Sequence, residues 1–344
     1  MNKWIVLCFL LMGLRVMAQD ITTANLLVKK AKVEKLDDLI TLKFTQSSDI
    51  EKLAVITGSR DIKLSPNAAT ISGLSFSWRF IYFGISYVPK FLPGNNDNAT
   101  KGKTRSGGLN FSLNFSHWFN EFTYNRTKGY YLENTRDFDP VWTPGQPYKQ
   151  FPQLVFTQFQ GLTAYNFNPQ YSLSAITFQT ERQLKSAGSF IPQFRYRYYI
   201  NDDQSAPSLN GFTQKAKNLE LLLGAGYYYT LVAQTRWYIS LGLTPNAGYH
   251  FSRIYSRSAT TTLKGNQHNF IFRMDGRVGA GYNSRRFFAG AYMNVAASSY
   301  NQQHSSVVTE DDRVAVQAFI GYRLQAPKWM KATLDKLTKK VGLD

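Results

Sequence analysis

The stretch Leu109-Asn110-Phe111-Ser112-Leu113-Asn114-Phe115-Ser116 decides how the rest of the chain is read. Its odd residues are large and apolar, and its even residues are polar but uncharged. Side chains of a β-strand leave alternate faces, with a period of two. One face of this strand is therefore wholly oily and the other wholly wet. A helix would scatter both kinds of side chain around its surface.

The same two-faced code recurs in both directions. Leu74, Phe76 and Trp78 oppose Ser75, Ser77 and Arg79, and Phe194, Tyr196 and Tyr198 oppose Arg195 and Arg197. Leu219, Leu221, Leu223, Ala225, Tyr227 and Tyr229 oppose Glu220, Gly224 and Gly226. Phe270, Phe272, Met274, Val278 and Ala280 oppose Arg273, Asp275 and Arg277, and Val316, Ala318, Ile320 and Tyr322 oppose Gln317, Gly321 and Arg323. Segments of about ten such residues suit a tilted membrane strand, and many exceed the roughly five or six usual in soluble sheets. Aromatic residues gather near segment ends, as at Trp78–Phe83, Tyr196–Tyr199 and Trp237–Tyr238, where bilayer interfaces hold aromatic girdles. A soluble β-sandwich also keeps one wet face per sheet, but nothing in it calls for apolar faces so long and so aromatic.

The pattern predicts an all-β fold, a transmembrane antiparallel up-and-down β-barrel of about 12 strands, with about 14 the other count it allows. Short connections fall near Phe80, Phe119, Asn168–Gln170, Ala233–Thr235 and Asn283–Arg286. Long polar ones cover 89–105, 129–153, 201–216, 251–267 and 300–311. Short periplasmic turns and long extracellular loops are the barrel rule. Up–down parity breaks near 180–188, where either a strand is missed or a loop misassigned.

Residues 1–18 read as a cleaved signal peptide: Lys3, an apolar run from Trp4 to Leu14, and Val16-Met17-Ala18 before Gln19. The chain is then placed in the bacterial outer membrane. Residues 19–68 form a lysine-rich periplasmic lead-in, with a short helix within 19–38 and a weak strand at 40–46. The barrel covers 69–324. Residues 325–344 are a basic amphipathic tail, with Trp329, Met330, Leu334, Leu337 and Val341 set among lysines. That helix either lies on the inner leaflet of the outer membrane or caps the periplasmic mouth.

The 344 residues carry 40 Lys and Arg against 22 Asp and Glu, a net charge of +18. Removal of Lys3 and Arg15 with the signal leaves +16. In the cytosol such a charge would suggest nucleic acid. An exported monomer meets outer-membrane lipids, lipopolysaccharide phosphates or a small anionic solute instead. The single cysteine, Cys8, lies in the signal and excludes both a disulfide framework and a cysteine metal site.

Arg79, Arg195, Arg197, Arg273, Asp275, Arg277 and Arg323 stand on the wet faces. In a barrel they face the lumen, because a lipid-facing Arg costs roughly 2–4 kcal/mol at mid-membrane. The simpler expectation is a closed lumen whose arginines pair with Asp275, Glu220 and Glu121. The sharper one is a positively lined passage for anions. No cofactor, metal or catalytic motif is present. A lipid- or lipopolysaccharide-modifying enzyme would need a histidine beside a serine. Ser116 and His117 point to opposite faces, whereas His250 and His268 flank a long loop and could meet at the rim; His304 is the fourth histidine. Glu310, Asp311 and Asp312 could take a hard cation, but a solvated loop accounts for them more simply. The expected function is a narrow pore, passage or scaffold. The alternatives are an outer-membrane enzyme, or a binding and adhesion module working through loops such as 129–153.

Several landmarks also resemble a known family. They are Leu64-Ser65-Pro66-Asn67, Lys101-Gly102-Lys103-Thr104, Lys128-Gly129-Tyr130-Tyr131-Leu132, and Gln183-Leu184-Lys185-Ser186-Ala187-Gly188-Ser189-Phe190. Together they resemble the uncharacterised bacterial outer-membrane family known as domain of unknown function 4421, over about residues 40–327. The resemblance implies an envelope β-barrel and carries over no catalytic residues.

Overall fold

The structure is a computed structural model that describes residues 32–55, 61–115, 117–207, 211–300, 307–309 and 313–341. The expected signal peptide, Ser116, His304 and the acidic run Glu310–Asp312 lie outside the described residues. Of the segment 19–38, the described part holds no helix; it opens with a strand.

In chain order the first strands are β1 (Val33–Lys35), β2 (Leu39–Ser47), β3 (Leu53–Val55), β4 (Ile62–Ser65), β5 (Ile71–Trp78) and β6 (Ile81–Tyr87). β7 (Arg105–Asn114), β8 (Trp118–Leu132), β9 (Gln150–Tyr165), β10 (Glu181–Gln183) and β11 (Ala187–Asp203) follow. The last are β12 (Thr213–Ala233), β13 (Trp237–Arg257), β14 (Thr262–Asn283), β15 (Phe287–Tyr300), β16 (Val307–Thr309) and β17 (Arg313–Gln325). Twelve of these, β2, β5–β9, β11–β15 and β17, each pair antiparallel with the next around a ring, and β17 pairs with β2 to close it. A closed ring leaves no unpaired edge, which is what hydrocarbon demands of a strand protein.

The expected count of twelve holds, but its makeup differs from the sequence reading. The weak strand assigned to the lead-in is β2, the barrel's first stave, so the barrel begins well before residue 69. The turn expected at Asn168–Gln170 opens onto no strand. Residues 166–186 form one long insert containing a short helix, Ser174–Thr177, and β10, which pairs only with β1. That insert accounts for the broken parity near 180–188. The even count returns the chain to the end where β2 begins. The brief turns at 79–80, 234–236 and 284–286 also lie at this short-turn end.

Strand length is uneven around the ring. β5 and β6 have 8 and 7 residues, whereas β12, β13 and β14 have 21, 21 and 22. The expected loop 251–267 is mostly the outer part of the β13–β14 hairpin, where Arg253 sits opposite Asn266. Above the bilayer both faces of a hairpin are wet. The backbone ladder continues there while the side-chain alternation that would reveal it disappears.

The outer wall carries the predicted oily rows. Leu42, Phe44, Leu74, Phe83, Leu109, Phe111, Phe122, Phe159, Leu223, Leu241, Leu243, Phe272, Met293 and Ile320 are all exposed. They come from every side of the ring and form a continuous apolar belt far larger than a soluble monomer exposes.

Three of the landmark motifs meet at the long-loop end. Leu64 of β4 pairs with Leu132 of β8. Asn67 donates its amide to the Gly102 carbonyl at 2.7 Å, and its backbone N–H to Thr104 Oγ1 at 2.8 Å. Thr104 Oγ1 in turn donates to the Gly129 carbonyl at 2.7 Å. Asn67 and Thr104 are buried, so the chain of bonds ties three outer connections into one knot. Gly129 has φ of +90° and sits at a register shift in β8; a Cβ there would lie 2.1 Å from the Lys103 carbonyl oxygen. Gly129→Ala is therefore expected to cost about 2 kcal/mol or more. The check is faster proteolysis of the loops at 88–104 and 133–149, with the barrel fold retained.

The C-terminal helix, Lys328–Val341, does not cap the mouth. Leu334 and Met330 pack with Ile40, Phe76, Trp78 and Ile81. These share strand faces with the exposed Leu42, Leu74 and Phe83, so they point away from the lumen. The helix lies against the outer wall at the short-turn end. Arg79, expected in the lumen, is instead in the turn after β5, where its guanidinium binds Asp335 of this helix at 2.5 Å. The pattern carried one residue too far: the strand ends at Trp78, and Arg79 has a φ of +52°.

Candidate functional site

The inward faces of the staves enclose a cavity of about 520 Å³ bounded by an insert at each end. At the short-turn end the floor is the plug, residues 166–186. Its Tyr171, Ile176 and Phe178 pack with inward-facing Phe119, Ile191, Phe288, Tyr292 and Phe319. The Phe178 ring stacks on Phe119 at 5.3 Å and lies 4.5 Å from Tyr82.

Polar latches hold the plug as well. Arg323 is fully buried; its Nε and Nη2 donate to the Gln179 carbonyl at 2.9 and 2.7 Å. Its remaining donors reach the Ser284 carbonyl at 2.5 Å and Asn283 Oδ1 at 2.7 Å. Lys43 donates to the Thr177 carbonyl at 2.6 Å and to Gln179 Oε1 at 3.0 Å. Tyr292 donates its hydroxyl to the Ile176 carbonyl. From the plug, Arg182 reaches back to Glu34 of β1 at 2.5 Å and to the Asn283 carbonyl at 3.0 Å. Each latch satisfies a carbonyl or carboxylate that an irregular buried segment would otherwise leave bare.

At the long-loop end the ceiling is a strap, residues 48–52, leading into the β3–β4 hairpin. Glu51 accepts from Arg197 at 2.6 Å and from Arg313 at 2.9 Å. Arg313 stands on β17, next to the stave that feeds the strap. Arg197 stands on β11, six staves from β2 in either direction and so on the opposite wall. The strap therefore spans the lumen, and Asp49 adds a second bond to Arg313. Leu53 and Leu64 anchor the hairpin beyond it against Tyr130, Leu154, Phe156 and Tyr199. Burial alone would push the Glu51 carboxyl up, but the two flanking guanidiniums hold it below its ordinary value of 4.5.

Between floor and ceiling the charges come in cation–carboxylate–cation groups. Asp275 lies between Arg273, at 2.9 Å, and Arg195, at 3.6 Å, and Asn246 donates to it at 2.9 Å. Glu51 lies between Arg197 and Arg313. Nearest the plug, Glu121 shares the cavity with Lys43 and Arg277, and the Arg277 guanidinium rests 4.1 Å from the Tyr292 ring centre. Six cations (Lys43, Arg195, Arg197, Arg273, Arg277, Arg313) and five carboxylates (Asp49, Glu51, Glu121, Glu220, Asp275) line the space. Arg195, Arg197, Arg273, Asp275 and Arg277 are thus in the lumen as the alternation predicts. Arg323 points inward too, but the plug covers it. Asp275 is a partner that the sequence named. Glu51 is one it missed, because a polar strap between strands has no periodicity to mark its direction.

His250 is inward and buried, its Nε2 3.2 Å from the Tyr199 hydroxyl. His268 belongs to the exposed face of β14, so the two histidines do not meet. The Nδ1 of His117 faces the Asn166 carbonyl at 2.8 Å. Among the described residues no group of three or more His, Cys, Asp and Glu is arranged to hold a metal ion.

The model of a family described as a domain of unknown function, DUF4421, matches residues 32–324. The chain belongs to this family. No curated protein matches the sequence. Among solved structures, the outer membrane protease OmpT from Escherichia coli is 8% identical, with a TM-score of 0.32, covering 84% of this chain and 97% of its own. The toluene transporter TodX of P. putida is 10% identical, with a TM-score of 0.29, over 84% of this chain and 90% of its own. The translocator domain of autotransporter NalP from Neisseria meningitidis is 7% identical, with a TM-score of 0.27, over 92% and 96%. Likenesses at this level say nothing of what the family member described here does.

Proposed function

We propose that this protein is a monomeric barrel of the bacterial outer membrane whose lumen is a narrow passage, shut at rest, for small anionic solutes. The observation that carries the reading is the polar cavity inside a cylinder with an apolar outer belt, closed above by a strap that ion pairs hold across the lumen. The lining carries six cations against five carboxylates, and the one positive charge in excess favours an anion in a low-dielectric channel. The floor is packed with aromatic rings; the strap itself is held largely by charge, so the ceiling is the element more easily released.

Glu51→Gln tests this. The change keeps the shape and removes the charge that bridges Arg197 and Arg313. Breaking a buried ion pair on one side costs about 3–5 kcal/mol, although Asp49 stays on Arg313. In planar bilayers the variant is expected to open at least about tenfold more often than the wild type, with currents that prefer anions. Because the carboxyl is held below 4.5 in the closed state, the charged strap contributes its full stability above that value. The contribution is lost as pH falls through the depressed value, so wild-type openings should rise only in acid. Silence from both proteins at every pH would leave a closed scaffold. Recovery of the protein in the soluble periplasmic fraction, without heat-modifiable gel migration, would remove the membrane reading altogether.

A further inference from the structure

The C-terminal helix sits where a membrane surface would meet the barrel. Ile40, Phe76, Trp78 and Ile81, the wall residues it packs on, are the lowest members of rows that continue upward as Leu42, Phe44, Leu74 and Phe83 in the apolar belt. Next to them on the strands, Ser77 and Tyr82 point inward and touch Phe178 of the plug. The helix therefore lies outside the cylinder, at the foot of the belt.

Its composition suits that place. Lys328–Val341 contains five lysines and one acid, Asp335. The Asp335 carboxylate pairs with Arg79, and five lysines against one acid leave the helix strongly positive. Met330 and Leu334 are spent on the barrel. Trp329 is not: it is 69% exposed on the helix surface. Trp329 and Lys336 are seven residues apart and share one side of the helix. An exposed indole beside lysines, flush with a hydrocarbon-facing wall, has the make-up of a helix lying in the interfacial layer.

We propose that this helix is an interfacial foot that binds the headgroups of anionic phospholipids in the leaflet at the short-turn end. The proposal rests on the membrane reading above, but not on the lumen being a passage. Trp329 would enter the boundary between headgroups and acyl chains, with Lys328, Lys331 and Lys336 meeting phosphate oxygens. The foot would fix the depth and rotation of the short β5–β6 side, where the wall is lowest.

The full chain, folded into vesicles carrying bromine on the acyl carbons nearest the headgroup, gives the test. Trp329 emission is read as the difference between the wild type and Trp329→Phe. In vesicles of phosphatidylcholine with phosphatidylglycerol, Trp329 should be strongly quenched. The triple variant Lys328→Glu, Lys331→Glu, Lys336→Glu should lose that quenching several-fold, since each lysine near an anionic surface is worth about fivefold in partitioning. In phosphatidylcholine alone the triple variant should match the wild type. Heat-modifiable migration reports barrel insertion in every sample. An inserted barrel with unquenched Trp329 would show the helix standing in water and overturn the proposal. Equal quenching in both lipids, unmoved by the triple variant, would overturn the claim that anionic headgroups are bound. Loss of insertion itself would bring down the membrane reading and the proposal together, and the gel would show it independently.

Discussion

Arg323→Ala is expected to free the plug and lower the barrel's stability by about 3 kcal/mol or more. The native guanidinium is wholly buried and spends its donors on the Gln179 and Ser284 carbonyls and on Asn283. Its plane also rests 4.5 Å from the Phe288 ring centre. Alanine removes these charge-assisted bonds at once and leaves their acceptors in a space too tight to hydrate well. Chymotrypsin offers the clearest readout, because the plug carries Tyr171 and Phe178. The variant should be cut within 166–186 under conditions where the wild-type barrel resists, and its unfolding midpoint in denaturant should fall. Arg323→Lys keeps the charge but not the fork, and should fall between the two. Unchanged resistance and midpoint in Arg323→Ala would mean that the aromatic cluster alone holds the plug.

A second large effect is expected on the outer wall. Leu243→Arg places a guanidinium in the middle of the belt, where hydrocarbon offers no partner, and should cost about 2–4 kcal/mol. Leu263→Arg makes the same chemical change on the outer part of the β13–β14 hairpin, opposite Ser256. Both leucines are exposed, yet the second substitution should stay within about 0.5 kcal/mol. Denaturant unfolding of the two variants from lipid vesicles measures the contrast. Equal costs would mean that the same solvent surrounds both leucines, contrary to a bilayer around the belt alone.

How far the sequence could be read follows from what each segment touches. Along β7, β11 and β14 one face meets lipid and the other the lumen. The alternation is therefore complete, and Arg195, Arg197, Arg273, Asp275 and Arg277 could be placed inside before any coordinates. β2 obeys the same code, with Lys43 and Thr41 turned inward and Leu42 and Phe44 outward. At only 9 residues it read as a fragment of the lead-in, and only its pairing with β17 shows it to be the closing stave. The plug defeats periodicity for another reason. Its middle is surrounded by protein, so the buried Tyr171, Ile176 and Phe178 point in several directions and no period of two survives. Glu51 is hidden likewise, since its partners stand on β11 and β17, far along the chain.

What the sequence determined by itself was the pair of solvents: greasy and polar side chains alternate wherever a stave separates lipid from lumen, and that local rule needs no tertiary contact to be legible. What only the tertiary structure decided was the filling of the cylinder and the seat of its terminal helix. Those depend on which distant carbonyl Arg323 reaches, which wall Glu51 crosses to and which face Leu334 meets. Such pairings arise when the ring closes and brings remote residues together, and no local pattern along the chain records them.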